Sequence, residues 1–290
     1  MRVVKTVADL REALGPDRRA GRAIGLVPTM GYLHDGHLAL VGESVARCDV
    51  TVVSIFVNPT QFGENEDLGS YPRDTDRDLA LCRETGADLV FMPGVEDIYP
   101  AGFQTYVEPG PLAEPLCGAF RPGHFRGVAT VVAKLFNMVQ PDIAFFGQKD
   151  FQQVAVVRQM ARDLDMPLTV ITVDTVREDD GIAMSSRNAY LDVAERRRAR
   201  CISRGLFAAK AAFEAGERDS GRLLALAREP LSEMDSVQYV ELVDAETLGP
   251  VTGAVGRSAA ICVAGYIGKT RLIDNIGFEI EDERTVRSAA

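Results

Sequence analysis

Residues 50–57 read Val-Thr-Val-Val-Ser-Ile-Phe-Val, a near-continuous apolar, β-branched run that constrains the fold more than any other segment. A strand with no polar face must be covered on both sides, which is the situation of a central strand in a parallel sheet. The flanking sequence agrees. A short apolar strand over 23–27 precedes a Pro-Thr-Met-Gly turn and a helix over about 36–46. A helix over 74–85 ends at Gly86, and 89–92 reads as the next strand. Further along come a helix over 129–139, a strand over 143–146, a helix over 151–164 and a strand over 168–173. Such β-α alternation predicts a doubly wound parallel sheet with right-handed crossovers.

The texture changes after about Val176. Helical patterns over 196–214 and 220–234 precede three strand-like runs at 237–243, 259–263 and 271–276. Helices followed by consecutive strands predict a smaller α+β domain with an antiparallel sheet. The polar, glycine-ended join Arg177-Glu178-Asp179-Asp180-Gly181 has the composition of a linker. Two domains are therefore expected, 1–176 and 177–290, in keeping with a length of 290 residues.

Composition bounds the function. No apolar run approaches the length that spans a bilayer, and the N-terminus lacks a signal-peptide core, so a cytosolic protein is expected. The five cysteines are odd in number, widely spaced and without Cys-x-x-Cys, which argues against a disulfide framework and a zinc site. A formal charge of −10 disfavours nonspecific binding to nucleic acid. An anionic substrate must be held by a local site.

The strongest such site is Pro28-Thr29-Met30-Gly31-Tyr32-Leu33-His34-Asp35-Gly36-His37, between the first strand of the alternation and a helix. Doubly wound folds bind nucleotides there, because a helix start offers N–H donors and a positive dipole end to phosphate. His34 and His37 are three apart and project to one side of a turn. The chain has three histidines in all, and two of them fall in this motif. A second strand-to-helix loop, Phe146-Gly147-Gln148-Lys149-Asp150-Phe151, carries a mobile cation suited to phosphate oxygens and is expected to face the first across a crevice. Met184-Ser185-Ser186-Arg187-Asn188 adds hydroxyls and a guanidinium, donors that match a polyphosphate. Asn58 and Gln61, leaving the buried strand, are neutral amides able to bond hydroxyls or a carboxylate. Arg121-Pro122-Gly123-His124-Phe125-Arg126-Gly127 could order an anionic group.

In this order the segments resemble the pantothenate synthetase (pantoate–β-alanine ligase) family of the nucleotidyltransferase superfamily with the H-x-G-H signature. Phe56-Val57-Asn58-Pro59, Tyr71-Pro72-Arg73, Gln152-Gln153 and Thr270-Arg271-Leu272-Ile273-Asp274-Asn275 belong to the likeness. The resemblance implies ATP-dependent condensation of pantoate with β-alanine through pantoyl-adenylate, with Mg2+ accompanying ATP, in a homodimer whose chains have a Rossmann-like N-terminal domain and a smaller C-terminal α+β lid. By position, Met30, Gly31, Tyr32, Leu33, His34, Asp35, Gly36 and His37 would bind ATP. Gly147, Gln148, Lys149, Asp150, Val176, Met184, Ser185, Ser186 and Arg187 would complete its site. His34, His37 and Lys149 would be catalytic, and Gln61, Gln153, Asn58 and Arg121 would hold pantoate or β-alanine. The family commonly has Leu-Glu-Gly where this chain has Leu116-Cys117-Gly118, which removes a carboxylate expected to orient Arg121. Arg77 beside Asp78 leaves the protein ligands of a metal undefined. Two other readings stay open, a nucleotidyltransferase that adenylates a phosphate and a nucleotide-sensing module without catalysis.

Overall fold

The computed structural model describes residues 1–64 and 66–280; residues 281–290 of the expected second domain lie outside the described residues. The chain forms two compact units. The first is Met1–Ala113, Arg121–Gln148 and Gln153–Val176; the second is Glu114–Phe120, Lys149–Gln152 and the chain from Arg177 onward.

The first unit is built on six strands, β1 (Arg2–Val4), β2 (Ile24–Thr29), β3 (Val50–Ile55), β4 (Leu89–Phe91), β5 (Ile143–Gly147) and β6 (Thr169–Val173). They form one sheet in the order β1-β4-β3-β2-β5-β6, with every pairing parallel. The chain winds from β2 outward through β3 and β4 on one side, then returns to place β5 and β6 on the other. The carboxyl ends of β2 and β5 thus flank the topological switch point, where open α/β sheets bind ligands.

Along the chain up to Val176 the helices are α1 (Val7–Arg19), α2 (Asp35–Arg47), α3 (Thr75–Thr85), α4 (Val95–Ile98), α5 (Cys117–Phe120), α6 (His124–Val139) and α7 (Phe151–Asp163), of which α5 and the first two residues of α7 belong to the second unit. Side chains alternate across a strand, so adjacent residues serve opposite layers. Phe145 joins Val27, Val53 and Val90 in a core with Leu40, Val41 and Cys82 of α2 and α3. Its neighbour Phe146 meets Phe136 of α6 with ring centroids 6.4 Å apart. The uninterrupted burial of β3 over Val50, Thr51, Val52, Val53 and Ser54 is what a two-sided covering demands.

The second unit contains α8 (Val193–Glu214), α9 (Ser220–Arg228) and the antiparallel strands β7 (Ser236–Asp244), β8 (Ala259–Ile267) and β9 (Thr270–Phe278), in the order β7-β8-β9. Leu206, Ala209 and Phe213 of α8 and Leu223 of α9 pack on Ile261, Val263 and Phe278 of the sheet. The doubly wound sheet with a small α+β unit is the architecture expected from the pattern.

Several elements differ from expectation. The sequence pattern does not include β1 or α1; α1 carries Pro16 in its interior, and Thr6 caps it by accepting from the Asp9 N–H at 3.1 Å. α6 begins at His124, ahead of the start at residue 129 that the pattern suggests. The helix expected over 220–234 stops at Arg228, and Pro230 lies in the first turn of a 3-10 helix over Glu229–Glu233. All five thiols are free and all but Cys48 are buried. Burial pushes Cys82 and Cys201 up to about 11, so they serve as neutral packing groups. Among the described residues, no helix is long and apolar enough to cross a membrane.

Candidate active site

The loop after β2 is set by its backbone. Gly31 has φ +81°, and a Cβ there would stand 3.0 Å from an oxygen of Asp78. Tyr32 follows with φ +51°, an uncommon conformation for a side chain of that size. The strain is held in place from α3. Asp78 is 2% exposed, and its two carboxylate oxygens accept the Tyr32 N–H at 2.8 Å and the Leu33 N–H at 2.7 Å. Arg77 donates to the Leu33 carbonyl at 2.8 Å and lies over the Tyr32 ring, 5.6 Å from its centroid. Burial pushes the Asp78 carboxyl up, against the pull of the two N–H bonds and Arg77. Leu33 is fully buried in the α2–α3 core, which stabilises the loop by about 1.5–3 kcal/mol. Sequence reasoning meets Asp78 only as an undefined metal ligand. Its position over a loop forty-odd residues earlier has no local signal.

This clamp fixes the start of α2. His34 is its N-cap, with φ −139° and ψ 173°. The His37 and Leu38 N–H groups donate to the His34 carbonyl at 2.7 and 3.1 Å. The two imidazoles lie 4.1 Å apart between centroids, tilted by 39°. The His34 N–H points to Nδ1 of His37 at 3.4 Å, an arrangement in which Nδ1 accepts and Nε2 is left to donate. Both histidines are half-buried, and Asp35 is exposed.

Gln61 lies beside this loop. Its amide nitrogen donates to Sδ of Met30 at 3.2 Å, and its amide oxygen accepts from Asn58 at 3.0 Å. Asn58 is 1% exposed. It also donates to the Gly127 carbonyl at 3.2 Å and accepts from the Tyr99 hydroxyl at 2.8 Å. An amide so enclosed orients Gln61; Tyr99, which completes it, is not singled out by the sequence. Gly127 is required here, since a Cβ would stand 2.3 Å from the Thr60 carbonyl oxygen where α6 crosses Pro59–Gln61.

Arg121 does have a carboxylate partner. Its Nε donates to Oε1 of Glu66 at 2.6 Å, and Nη2 pairs with Oε2 of the same residue. Nη2 also donates to the Gln61 carbonyl at 3.1 Å. His124 Nδ1 donates to that carbonyl at 2.8 Å, leaving Nε2 to accept from Arg121 at 3.1 Å. Burial works to raise the Glu66 carboxyl, but the bond and charge of Arg121 prevail and hold it below the usual range. The expectation that Cys117 deprives Arg121 of its orienting carboxylate is therefore corrected. Cys117 instead has its sulfur 3.8 Å from Arg271. Met30, Asn58, Gln61 and Arg121 form one bonded group in the first unit. Gln153, on the first turn of α7, and Val176, after β6, are half-buried in the same unit.

The remaining candidates start at the end of the first unit and continue in the second. Gly147 ends β5 and Gln148 opens a 3-10 turn, Gln148–Asp150, and a Cβ on Gly147 would meet no protein atom within 4 Å. Lys149 belongs to the second unit; its ammonium lies 4.0 Å from Asp150, and its carbonyl accepts from the Asn275 side chain at 2.9 Å. Met184 is half-buried. The Ser185 hydroxyl caps Ser186–Tyr190 by accepting the Arg187 N–H at 3.3 Å. Asn188 secures the segment by donating to Glu178 at 2.7 Å and to the Ala183 carbonyl at 3.1 Å. Among the described residues, no group of three or more His, Cys, Asp or Glu side chains is arranged to hold a metal ion.

A doubly wound parallel sheet with a strand-to-helix loop beside its switch point defines the class of open α/β folds that bind ligands at the carboxyl ends of their strands. A family model described as pantoate-beta-alanine ligase matches residues 2–277, and the chain belongs to that family of ligases. Pantothenate synthetase 1 of Bradyrhizobium diazoefficiens is 63% identical over 276 residues, covering 95% of this chain and 98% of the relative. The crystal structure of pantothenate synthetase from Thermus thermophilus superposes with a TM-score of 0.90 at 49% identity, covering 95% of this chain and 99% of that one. A pantoate-beta-alanine ligase from Francisella tularensis, solved in complex with beta-gamma ATP and beta-alanine, has a TM-score of 0.78 at 33% identity, covering 95% and 97%.

Proposed function

We propose that this ligase condenses pantoate with β-alanine through pantoyl-adenylate, and that its own loops bind ATP as the sequence implies. The observation that carries the reading is the locked loop at the start of α2, where the arrangement of His34 and His37 leaves Nε2 of His37 to donate. In the first step a pantoate carboxylate oxygen bonds to the α-phosphorus while the bond to the bridging oxygen breaks and pyrophosphate leaves. Met30, Gly31, Tyr32, Leu33, His34, Asp35, Gly36 and His37 bind ATP, with His34 and His37 at its phosphates. His37 donates to oxygens that gain charge as pyrophosphate departs, and Lys149 brings a mobile cation to the same phosphates. Gly147, Gln148, Asp150, Val176, Met184, Ser185, Ser186 and Arg187 complete the nucleotide's contacts. Gln61 and Gln153 bind pantoate, with Asn58 and Arg121 fixing the orientation of Gln61. In the second step the amine of β-alanine attacks the acyl carbon and AMP leaves. Gln61 contacts both acceptor and acyl group, which keeps the reacting atoms in line.

Mg2+ would accompany ATP as part of the substrate and supply charge to its phosphates; among the described residues no cluster of His, Cys, Asp or Glu is arranged to hold it, and the oxygens of Asp78 are engaged by backbone N–H groups. The residues up to Val176 serve as the nucleotide- and pantoate-binding domain and those from Arg177 as the lid. A cytoplasmic homodimer is the form the resemblance supports.

Isotope exchange between pyrophosphate and ATP tests the reading. Pantoate should support exchange without β-alanine. Formation of ADP and phosphate would point to an acyl phosphate and overturn it. Exchange with a phosphate acceptor in place of pantoate would favour the plain nucleotidyltransferase.

A further inference from the structure

The motif Thr270-Arg271-Leu272-Ile273-Asp274-Asn275 has no part in the reaction as described, yet it is built into β9 with two polar side chains almost fully buried. Asp274 is 5% exposed and Asn275 4%. Buried polar groups are costly unless they are bonded, so their partners reveal what they serve. Arg177 grips Asp274 with two bonds, 2.7 Å to Oδ2 and 3.1 Å to Oδ1. The same guanidinium donates to the Gly181 carbonyl at 3.1 Å and to the Asn275 carbonyl at 3.4 Å, and it lies 4.8 Å from the centroid of Phe207. The Asn275 N–H closes on Oδ1 of Asp274 at 2.8 Å. The backbone at 274–275 is thus fixed from three directions. From it, the Asn275 amide donates to the Lys149 carbonyl at 2.9 Å.

The segment that receives this bond is Lys149–Gln152. Its far end is held too. The Gln152 amide accepts the Cys117 N–H at 2.9 Å and donates to the Pro115 carbonyl at 2.7 Å. Lysine carries its charge on a flexible four-carbon stem, so where the ammonium can go depends on where its backbone is held.

We infer that Asn275 is a positioning residue for Lys149, fixing the backbone from which the ammonium reaches, and that the Arg177–Asp274 pair exists to hold Asn275 in register. The inference rests on the reading that Lys149 acts on the ATP phosphates. It gives the C-terminal strand a part in the first half-reaction without any contact to substrate.

A double-mutant cycle tests it, read as single-turnover adenylate formation with saturating ATP and pantoate. Asn275→Ala should slow the step about tenfold, the kinetic equivalent of one hydrogen bond, with little change in KM for pantoate. In a Lys149→Ala background the same substitution should cost nothing further, because a residue that acts only through Lys149 has nothing left to position. Equal fold-losses in both backgrounds would overturn the inference. Asn275→Asp keeps the volume but replaces the donor with an acceptor facing the Lys149 carbonyl. It should reproduce the loss, and near-normal turnover in that folded variant would also overturn the inference. Failure of the underlying reading is visible separately, as normal turnover in Lys149→Ala alone.

Discussion

The loop after β2 and the segment Lys149–Gln152, which runs from the turn after β5 into the first turn of α7, both lead from a strand into a helix, but they are held by different chemistry. The first is gripped by a buried carboxylate on two successive N–H groups, with two residues at positive φ and Leu33 sunk in the core. The second is held by neutral amides, Asn275 at one end and Gln152 at the other. A charged, strained support makes the histidine loop part of the structural core of its unit. Amide support lets the lysine segment be disturbed with less consequence for folding. The difference predicts that stability and activity fail together at the first site and separately at the second.

Between these two segments' supports, the larger effect on turnover is expected at the lysine. Lys149→Ala should lower turnover about 10²-fold, the scale for one lost electrostatic donor, with the melting temperature nearly unchanged. A matching loss of stability would erase the distinction between the two regions. Asp78→Asn should show the coupled behaviour. Its amide group would confront one of the Tyr32 and Leu33 N–H donors, at a cost of about 1–3 kcal/mol of stability. Thermal unfolding and adenylation rate should both decline, and an unchanged melting temperature would show that the clamp is dispensable.

The frame is legible in the sequence because hydrophobic periodicity reports burial directly: β3 reads as a two-sided strand and is one, and the switch from parallel to antiparallel texture comes near Val176. Motif loops are legible for the same reason, since they lie where strand and helix patterns meet. What stays hidden depends on contacts between distant residues. Asp78 clamps Tyr32, Glu66 takes the place expected of a carboxylate near Cys117, and Tyr99 encloses Asn58, none of which leaves a local pattern. The α1 helix, with a proline in its interior, lies outside the pattern despite its capping residue Thr6.

A smaller effect is expected at Glu66, whose carboxyl is held below its usual value. Such a group adds stability above the unfolded pKa of about 4.3, and that stability is lost as pH falls through the lower folded value. Glu66→Gln should therefore be less stable than the parent at neutral pH and should converge with it as pH falls below about 4. Parallel stability curves across that range would mean that the Arg121–Glu66 pair contributes nothing.

Whether the histidine loop acts on phosphates as pyrophosphate leaves is decided by His37→Ala, followed through each half-reaction in single turnovers. Adenylate formation should fall about 10²-fold or more, the usual scale for a positioned donor. Supplied with preformed pantoyl-adenylate and β-alanine, the same variant should form pantothenate at close to the parent rate. Equal losses in both half-reactions would refute a role at the phosphates and leave His37 as a residue that only shapes the site.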